Sequence, residues 1–354
     1  MDFALALCYN ECKRSFCCFY KKARFLAGPV FMAGRSAGRG NFFPGRTVFH
    51  AKPGAERKTT VRNRMEKLKD YVRLMRVHHY IKNLLVFAAL ACSGQLFCTD
   101  RLLPALAGFG SFCMTASAVY VMNDIRDREK DRLHPVKCRR PIASGLVSVK
   151  SARIFAALLL ALAVLCELPV LHPLSTGLLV LYLLLNLAYS FGLKDVPLVD
   201  VTILVSGFLI RVVYGALVTG VPVSNWLYLT VVALSFYFAL GKRRNERKRT
   251  DRSGGTRKVL RYYSTDFLDK NMYMCLTLAQ VFYALWCVDA GTSARYGVNP
   301  SFTVPVVLLI MMRYSMDVAG DSDGDPVEVL LRDKPLLVLC SAYLAVMFAI
   351  LYFF

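Results

Sequence analysis

The stretch NDIRDREKD, residues 123–131, lies between two long apolar runs and carries four acidic residues. If it is helical, Asp124, Asp127 and Asp131 share one face, because they are spaced i, i+3 and i+7. Asn123 joins that face four residues before Asp127. Like charges at this spacing repel each other, so a cation must neutralise them. Mg²⁺ prefers carboxylates combined with substrate phosphates, and we therefore predict that Asp124, Asp127 and Asp131 bind Mg²⁺.

Basic residues surround this carboxylate face and follow it closely. They are Arg126, Arg128, Lys130, Arg132, Lys137, Arg139 and Arg140. Guanidinium and ammonium groups bind phosphate oxygens, so carboxylates for a metal beside bases for phosphate predict a diphosphate site. A solvated charged face between two membrane helices also accounts for these charges, and the rest of the chain has to decide between the two interpretations.

The composition places the chain in a class before any other motif is considered. Of 354 residues, 56% are hydrophobic, the mean hydropathy is +0.42 and the formal net charge is +21. The apolar residues fall in long blocks with the charges between them, which indicates a polytopic membrane protein. We expect the bilayer to surround it and expect no nucleic-acid partner, while the sequence leaves a homo-oligomer open.

Nine apolar blocks are each close to the ~20 residues that cross the hydrocarbon core. The first is the weakest, since it contains Ser93, Gly94 and Gln95. The predicted fold class is therefore all-α, with nine transmembrane helices. The blocks lie near residues 83–98, 102–122, 152–171, 173–191, 200–219, 224–240, 272–290, 302–318 and 335–353.

Lysine and arginine residues predict the orientation. With the N-terminus inside, the outer loops hold two basic residues, Arg101 and Arg295, whereas the loop 241–271 alone holds eleven. The positive-inside rule favours this arrangement. We therefore expect a multi-pass protein of the cell (inner or plasma) membrane, with the long charged loops and any site built from them facing the cytoplasm.

Residues 1–64 differ from the rest of the chain. They are basic, and Asp2, Glu11 and Glu56 are their only acidic residues. This composition fits an organelle transit peptide, and it equally fits upstream sequence translated ahead of a start at Met65. We expect low order in this extension and a separate domain, residues 65–354, that contains all the membrane spans.

A second group of polar residues follows the fourth block, where residues 189–200 read YSFGLKDVPLVD. Asp200 opens the fifth block, and Arg211 comes eleven residues later. That spacing is about three helical turns, so the two side chains face the same way. Ionisable residues in a span are costly and point to function, although a structural ion pair is the alternative. Lys194 adds a phosphate ligand nearby.

A third group of charged residues follows the sixth block. Lys242 and Arg243 lie at its end, deep enough to reach a phosphate, whereas the basic residues that follow suit anchoring to anionic lipid. Before the first block, Arg76, Lys82 and Asn83 flank the entry into the membrane. We expect them to line the opening of the same site.

Several of these segments resemble a known family. The NDxxDxxxD pattern at 123–131 resembles the first aspartate motif of the UbiA-type intramembrane prenyltransferase superfamily. Over about residues 70–353, the chain resembles the phosphoribosyl-transferring branch of that superfamily, the decaprenyl-phosphate phosphoribosyltransferases. The second motif departs from the superfamily pattern, because it thins to Lys194, Asp195 and Asp200. The segments that carry this resemblance are RxxxYxKN at 76–83, HPxKxxRPIASG at 134–145, YSxxLKxxPxxD at 189–200, GFxxR at 207–211 and GKR at 241–243.

The resemblance implies a nine-helix bundle and a Mg²⁺-dependent transfer. The donor would be 5-phosphoribosyl 1-diphosphate and the acceptor a decaprenyl-type polyprenyl phosphate, for the synthesis of an arabinose or ribose lipid donor of the cell envelope. The catalytic residues would be Asp124, Asp127, Asp131 and Asp200. Substrate would be bound by Arg76, Lys82, Asn83, Asn123, Lys137, Arg140, Tyr189, Lys194, Arg211, Lys242 and Arg243.

Other functions remain open from the sequence. The superfamily's commoner chemistry ionises a prenyl diphosphate and prenylates an aromatic or other acceptor, which would place aromatic and apolar side chains in a deep tunnel beneath the metal. A phosphoribosyl donor needs a polar pocket instead. A lipid-binding scaffold has no use for so costly a carboxylate stripe, and the broken helix pairs of a transporter are not evident.

Overall fold

Every regular element that the structure describes is a helix, as the fold class predicted. The computed structural model describes residues 64–134, 136–253, 258–320 and 326–353. The predicted extension, apart from Arg64, lies outside these described residues. Residues Met65–Phe354 form one compact unit, and the roles assigned to the two domains stay a prediction.

The α-helices are numbered here in chain order: α1 Arg64–Met75, α2 Ala88–Cys92, α3 Thr99–Arg126, α4 Arg128–Leu133, α5 Val149–Glu167, α6 Pro173–Ser190, α7 Val199–Thr219, α8 Asn225–Ser253, α9 Thr265–Val288, α10 Ala290–Tyr296, α11 Val304–Ala319, α12 Pro326–Arg332 and α13 Lys334–Phe353. Short 3₁₀ segments join them at Val77–Phe87, Lys137–Arg139, Leu168–Val170, Leu193–Asp195, Lys258–Tyr262 and Pro300–Thr303.

Seven helices of the described chain are long and apolar enough to cross a membrane. The first predicted span lies in a shorter apolar helix, Val77–Cys92, and the sixth lies in Asn225–Ser253, which is not among the seven. The count of nine therefore stays a prediction. The predicted bounds of the first span, 83–98, are wrong. That helix ends at Cys92, because the Ser93 hydroxyl bonds to the Leu90 carbonyl and Gly94 turns the chain with a φ of 72°.

Two groups of helices make the most extensive packing contacts. Helix α3 packs against α5 and α7, and α8 packs against α9. Small residues on α3, among them Ala105, Gly108 and Ala116, are buried and let neighbouring helices approach closely. This packing fixes the direction of α3, whose C-terminal end carries the first aspartates.

Helix α7 touches the 3₁₀ segment Val77–Phe87 backbone to backbone. A Cβ atom added at Gly215 would lie 1.8 Å from the Val86 carbonyl oxygen. Glycine is therefore required at this contact, and the contact places Asn83 against the polar face of α7.

We predict that Gly215→Ala destabilises the protein. The added methyl group overlaps backbone that cannot rotate away, and overpacking of this kind costs about 1–3 kcal/mol or more. Thermal unfolding in detergent should show a clear fall in the midpoint. Gly177→Ala is the matched control, because an added Cβ at that helical glycine meets nothing within 4 Å. Equal midpoints for the two variants would contradict the prediction.

Candidate active site

The first aspartate motif spans a junction between two helices. Helix α3 ends at Arg126, and Asp127 lies between it and α4 with φ −84° and ψ 6°. Helical hydrogen bonding continues through the junction, because the Asp127 amide donates to the Asn123 carbonyl over 2.9 Å and the Asp131 amide donates to Asp127 over 2.8 Å. The predicted single helix is therefore interrupted at Asp127, while the helical spacing of the carboxylates is largely kept.

Two arginines neutralise the buried carboxylates of this motif. Arg140 Nη1 lies 3.1 Å from Asp124 Oδ1 and 2.7 Å from Asp131 Oδ2, so one guanidinium joins both residues. Arg76 Nη2 also bonds to Asp124 Oδ1, at 2.6 Å. Arg140 reaches back because residues 136–140 fold into a tight turn around the segment Lys137–Arg139. The expected cation-rich surrounding of the stripe is present, drawn from both sides of α3.

Asp127 points to the second motif. Its Oδ1 lies 3.3 Å from Lys194 Nζ, which the segment Leu193–Asp195 presents. The Asp127 side chain is 31% exposed, unlike the buried Asp124 and Asp131. Ser190 joins the two motifs a second time, since its hydroxyl donates to Asn123 Oδ1. The structure thus brings together two loops that are separated by more than sixty residues.

Asp200 and Arg243 form a fully buried ion pair. The Arg243 Nε donates to Asp200 Oδ2 over 2.5 Å, and both side chains are 0% exposed. Arg243 also bonds to Glu246 and to the Tyr189 hydroxyl. Arg243 was predicted to lie deep enough to reach a phosphate; it is buried, and two carboxylates already pair with its charge. Asp200 and Tyr189 belong to the same interior network.

Tyr263 completes that network, and the sequence analysis did not identify it. Its hydroxyl donates to Asp200 Oδ1 over 2.6 Å and accepts the Leu198 amide hydrogen over 2.7 Å. Burial, together with the hydrogen bond to Asp200, raises the pKa of Tyr263 to about 12. The hydroxyl therefore stays protonated near neutral pH and can serve as donor and acceptor at once.

Arg211 lies in a separate buried pocket on α7. Its Nε donates to Asn83 Oδ1 over 2.8 Å and its Nη1 donates to the Gly207 carbonyl over 2.6 Å. The guanidinium also stacks over Phe112 and Tyr182 at 4.8 Å and 5.1 Å from the ring centroids, which stabilises a buried cation. Among the described contacts of Arg211 there is no carboxylate.

The remaining predicted substrate ligands lie at differing depths. Asn83 is buried against Arg211 and Cys113 rather than lining an entry. Lys82 and Lys242 are half-buried, and Lys137 is exposed on the turn that carries Arg140. Asp200 and Arg211 do not pair, since the eleven residues between them span about 16 Å along a helix. No spacing along the chain indicated the contacts of Ser190 with Asn123, of Tyr182 with Arg211 or of Tyr263 with Asp200, because the fold brings these residues together. Glu246 lies three residues after Arg243 on the same helix, so helical spacing is a signal for that pair.

The oxygen ligands of the first motif suit Mg²⁺ in chemical type. Within the described residues no three acidic, histidine or cysteine side chains form a ready metal cage. Asp124 and Asp131 both bond to Arg140 Nη1, and Asp127 lies a turn away beside Lys194. Because Mg²⁺ is usually held by one or two carboxylates plus phosphate oxygens and water, these residues fit it when a diphosphate supplies the other ligands.

Comparison with known proteins identifies the family. Residues 84–331 match the sequence model of the UbiA prenyltransferase family. The chain belongs to this family. It is similar to the decaprenyl-phosphate phosphoribosyltransferase of Mycolicibacterium smegmatis, with 34% identity over 80% of this chain and 92% of the relative. A protein of the same name from Corynebacterium glutamicum is 33% identical over 77% of this chain and 83% of the relative.

Solved structures confirm the UbiA fold. A UbiA homologue from Archaeoglobus fulgidus bound to GPP and Mg²⁺ matches with a TM-score of 0.58. The match covers 80% of this chain and 99% of that one, at 19% identity. This UbiA-family protein is therefore an integral membrane transferase with the fold that its aspartate motif predicted.

We predict that Asp200→Asn and Asp127→Asn differ in their effect on stability. Removing one partner of a buried ion pair costs about 3–5 kcal/mol, and Asp200 is paired with Arg243 at full burial. The Asp127–Lys194 pair is partly exposed, so its loss should cost no more than about 1 kcal/mol. Thermal unfolding of both purified variants of the UbiA-family protein checks this. A stable Asp200→Asn variant would show that the network does not hold the helices.

Proposed function

We propose that this protein transfers 5-phosphoribose from 5-phosphoribosyl 1-diphosphate to a polyprenyl phosphate of decaprenyl type, with release of diphosphate. A diphosphate site is supported by one observation, namely that the Arg140 guanidinium bonds to both Asp124 and Asp131. The choice of donor is supported by relatives named for that activity, at 33–34% identity over most of both chains.

The charges of the site favour joint binding of a metal and a diphosphate. The three aspartates of the first motif are balanced by three cations, Arg76, Arg140 and Lys194. Adding a divalent cation alone, or a diphosphate alone, would leave uncompensated charge in a partly buried place, whereas adding both offsets most of the added charge. Upon such binding the guanidinium and ammonium groups would move from carboxylate to phosphate oxygens, which they bind in the same geometry.

Each group then has a role in the chemistry. Mg²⁺ bound by Asp124, Asp127 and Asp131 would neutralise charge on the departing diphosphate. Arg76, Arg140 and Lys194 would orient the diphosphate. The ribose C1 acquires oxocarbenium character as its bond breaks, and a nearby carboxylate stabilises that charge. The acceptor phosphate is already an anion and needs little help from a base. The distribution of lysine and arginine supports a site that opens to the cytoplasm.

The 5-phosphate of this donor needs a cation separate from those at the diphosphate. Arg243 is neutralised by Asp200 and Glu246, and Lys194 by Asp127. Arg211 is buried and its described contacts contain no carboxylate. We therefore assign Arg211 as the first candidate for the 5-phosphate, with Lys242 as the second.

Prenyl transfer is the second candidate function, and one observation favours it. Phe112, Tyr182 and Phe208 surround the Arg211 guanidinium with ring centroids within 6 Å, and aromatic rings also suit the carbocation of a prenyl donor. Arg211 and Asn83 in the same place favour a polar, anionic ligand instead. The buried cation is the reason for preferring the phosphoribosyl donor, since it would repel a carbocation.

We predict that binding depends on the 5-phosphate of the donor. Phosphoribosyl diphosphate should bind more than tenfold more tightly than ribosyl 1-diphosphate, because an unpaired buried cation costs about 2–5 kcal/mol and ~1.4 kcal/mol is a factor of ten. Arg211→Gln should remove most of that difference while leaving the affinity for ribosyl 1-diphosphate unchanged. Isothermal titration with Mg²⁺ and each ligand measures this. Equal binding of the two sugars, or displacement of both by a prenyl diphosphate, would favour prenyl transfer.

We predict a strict requirement for a divalent metal. Asp124→Asn and Asp127→Asn should each abolish turnover of radiolabelled donor with Mg²⁺, and excess EDTA should do the same to the unaltered protein. Glu129→Gln is the matched control, because that carboxylate lies on the same segment with a side chain 73% exposed, and its described ion pairs are with Arg128 and Arg132. The control should keep full activity. Turnover in EDTA, or in either aspartate variant, would contradict the metal assignment.

A further inference from the structure

We propose that Tyr263 is a positioning residue, whose hydroxyl holds the loop 191–198 so that Lys194 meets the first aspartate motif. The proposal rests on the proposed function in one respect, namely that Lys194 binds the donor. Tyr263 itself lies between α8 and α9, outside both aspartate motifs, and touches neither Asp127 nor Lys194 in the described contacts.

The hydroxyl of Tyr263 joins the second motif to the buried ion pair. It accepts the Leu198 amide hydrogen over 2.7 Å and donates to Asp200 Oδ1 over 2.6 Å. Asp200 is in turn fixed by Arg243 at full burial. The end of the loop is thereby tied through one oxygen atom to the most deeply buried charges of the bundle.

Leu198 has a backbone conformation that needs such a tie. Its φ is 65° and its ψ is −38°, in a region that residues other than glycine seldom adopt. Conformations of this kind persist only where surrounding contacts hold them. The Leu198 side chain is 57% exposed, so packing contributes little, and the hydrogen bond from its amide to Tyr263 is the contact suited to the task.

The loop is short enough to carry this constraint to Lys194. The Asp195 amide donates to the Gly192 carbonyl over 2.9 Å, and the Val196 amide donates to Leu193 over 3.2 Å. These bonds make a tight turn over residues 192–196, and the Asp200 amide donates to the Val196 carbonyl over 3.2 Å, which joins this turn to the start of α7 beside Leu198. A shift at Leu198 is therefore expected to move Lys194. Lys194 Nζ lies 3.3 Å from Asp127 Oδ1, so a displacement of Leu198 would also displace Lys194 relative to Asp127.

Tyr263 is itself held from the opposite side. Its ring stacks on Phe267 with 10° between the ring planes, and its carbonyl accepts a hydrogen bond from the Arg247 guanidinium. Because its pKa is raised to about 12 by burial and by Asp200, the hydroxyl keeps its proton and both of its hydrogen bonds. Residues 258–263 thus support the second motif from outside it.

Hydrogen–deuterium exchange tests the structural part without reference to any donor. Tyr263→Phe removes only the hydroxyl, and peptides covering residues 193–200 should exchange at least about tenfold faster than in the unaltered protein. Tyr262→Phe is the matched control, since that neighbouring side chain is 71% exposed and should leave the exchange unchanged. Unchanged exchange in Tyr263→Phe would overturn the proposal. If this variant does not fold, rapid exchange of the Leu198 amide in the unaltered protein would overturn it instead.

A double-mutant cycle tests the route through Lys194. Tyr263→Phe should lower kcat/KM by about tenfold, mainly through a higher KM for the donor diphosphate and with no change in the KM for the lipid acceptor. In a Lys194→Met background the same substitution should lower kcat/KM by less than twofold, because the loop then has nothing to position. Losses that multiply independently would show that Tyr263 acts elsewhere.

The two measurements separate failure of this proposal from failure of the proposed function. The cycle is run with phosphoribosyl diphosphate and with a prenyl diphosphate, and the donor that is turned over is used. If Tyr263→Phe exchanges faster and the cycle shows coupling, but only the prenyl diphosphate is turned over, the phosphoribosyl assignment is overturned and the role of Tyr263 is supported. If phosphoribosyl diphosphate is turned over and the two substitutions act independently, the proposed function is supported and the role of Tyr263 is overturned.

Discussion

The neutralisation of buried carboxylates is the constraint on which the rest of this structure depends. A charge removed from water is stabilised when an opposite charge or a set of hydrogen bonds compensates it. Asp124 and Asp131 meet that condition through Arg140, and Asp124 meets it again through Arg76. Arginines on either side of α3 in sequence must therefore converge at its C-terminal end. The same convergence gathers the groups that a diphosphate and a metal require.

The second ionic network, formed by Asp200 and Arg243, also compensates buried charges. Asp200 and Arg243 are buried completely and satisfy each other, so their ion pair links α7 to α8 in the interior. Arg211 differs from Arg243, because its described contacts are amide, carbonyl, hydroxyl and ring groups without a carboxylate. The contrast separates charges that support the bundle from one that is suited to a substrate anion. Family membership alone does not make that distinction.

Local pattern was sufficient for the elements and for the first motif. Long apolar blocks predicted the all-α bundle, and helical spacing placed Asp124, Asp127 and Asp131 on one face, because both depend on residues close together in the chain. The bounds of the first span were wrong, since the Ser93–Gly94 turn ends that helix at Cys92. The partner of Arg243 was not predicted. Its position at the end of a span indicated a phosphate ligand, and its pairing with Asp200 depends on a carboxylate of another helix.

The sequence by itself determined that the chain is a membrane bundle with an acidic motif at one helix end, because hydropathy and helical periodicity are local properties. Only the tertiary structure decided which charges meet. Lys194 faces Asp127, Arg140 joins Asp124 to Asp131, and Tyr263 connects Leu198 with Asp200. The pairs Lys194–Asp127 and Tyr263–Asp200 lie more than sixty residues apart. Their contact follows from how the helices pack, which no spacing along the chain can express.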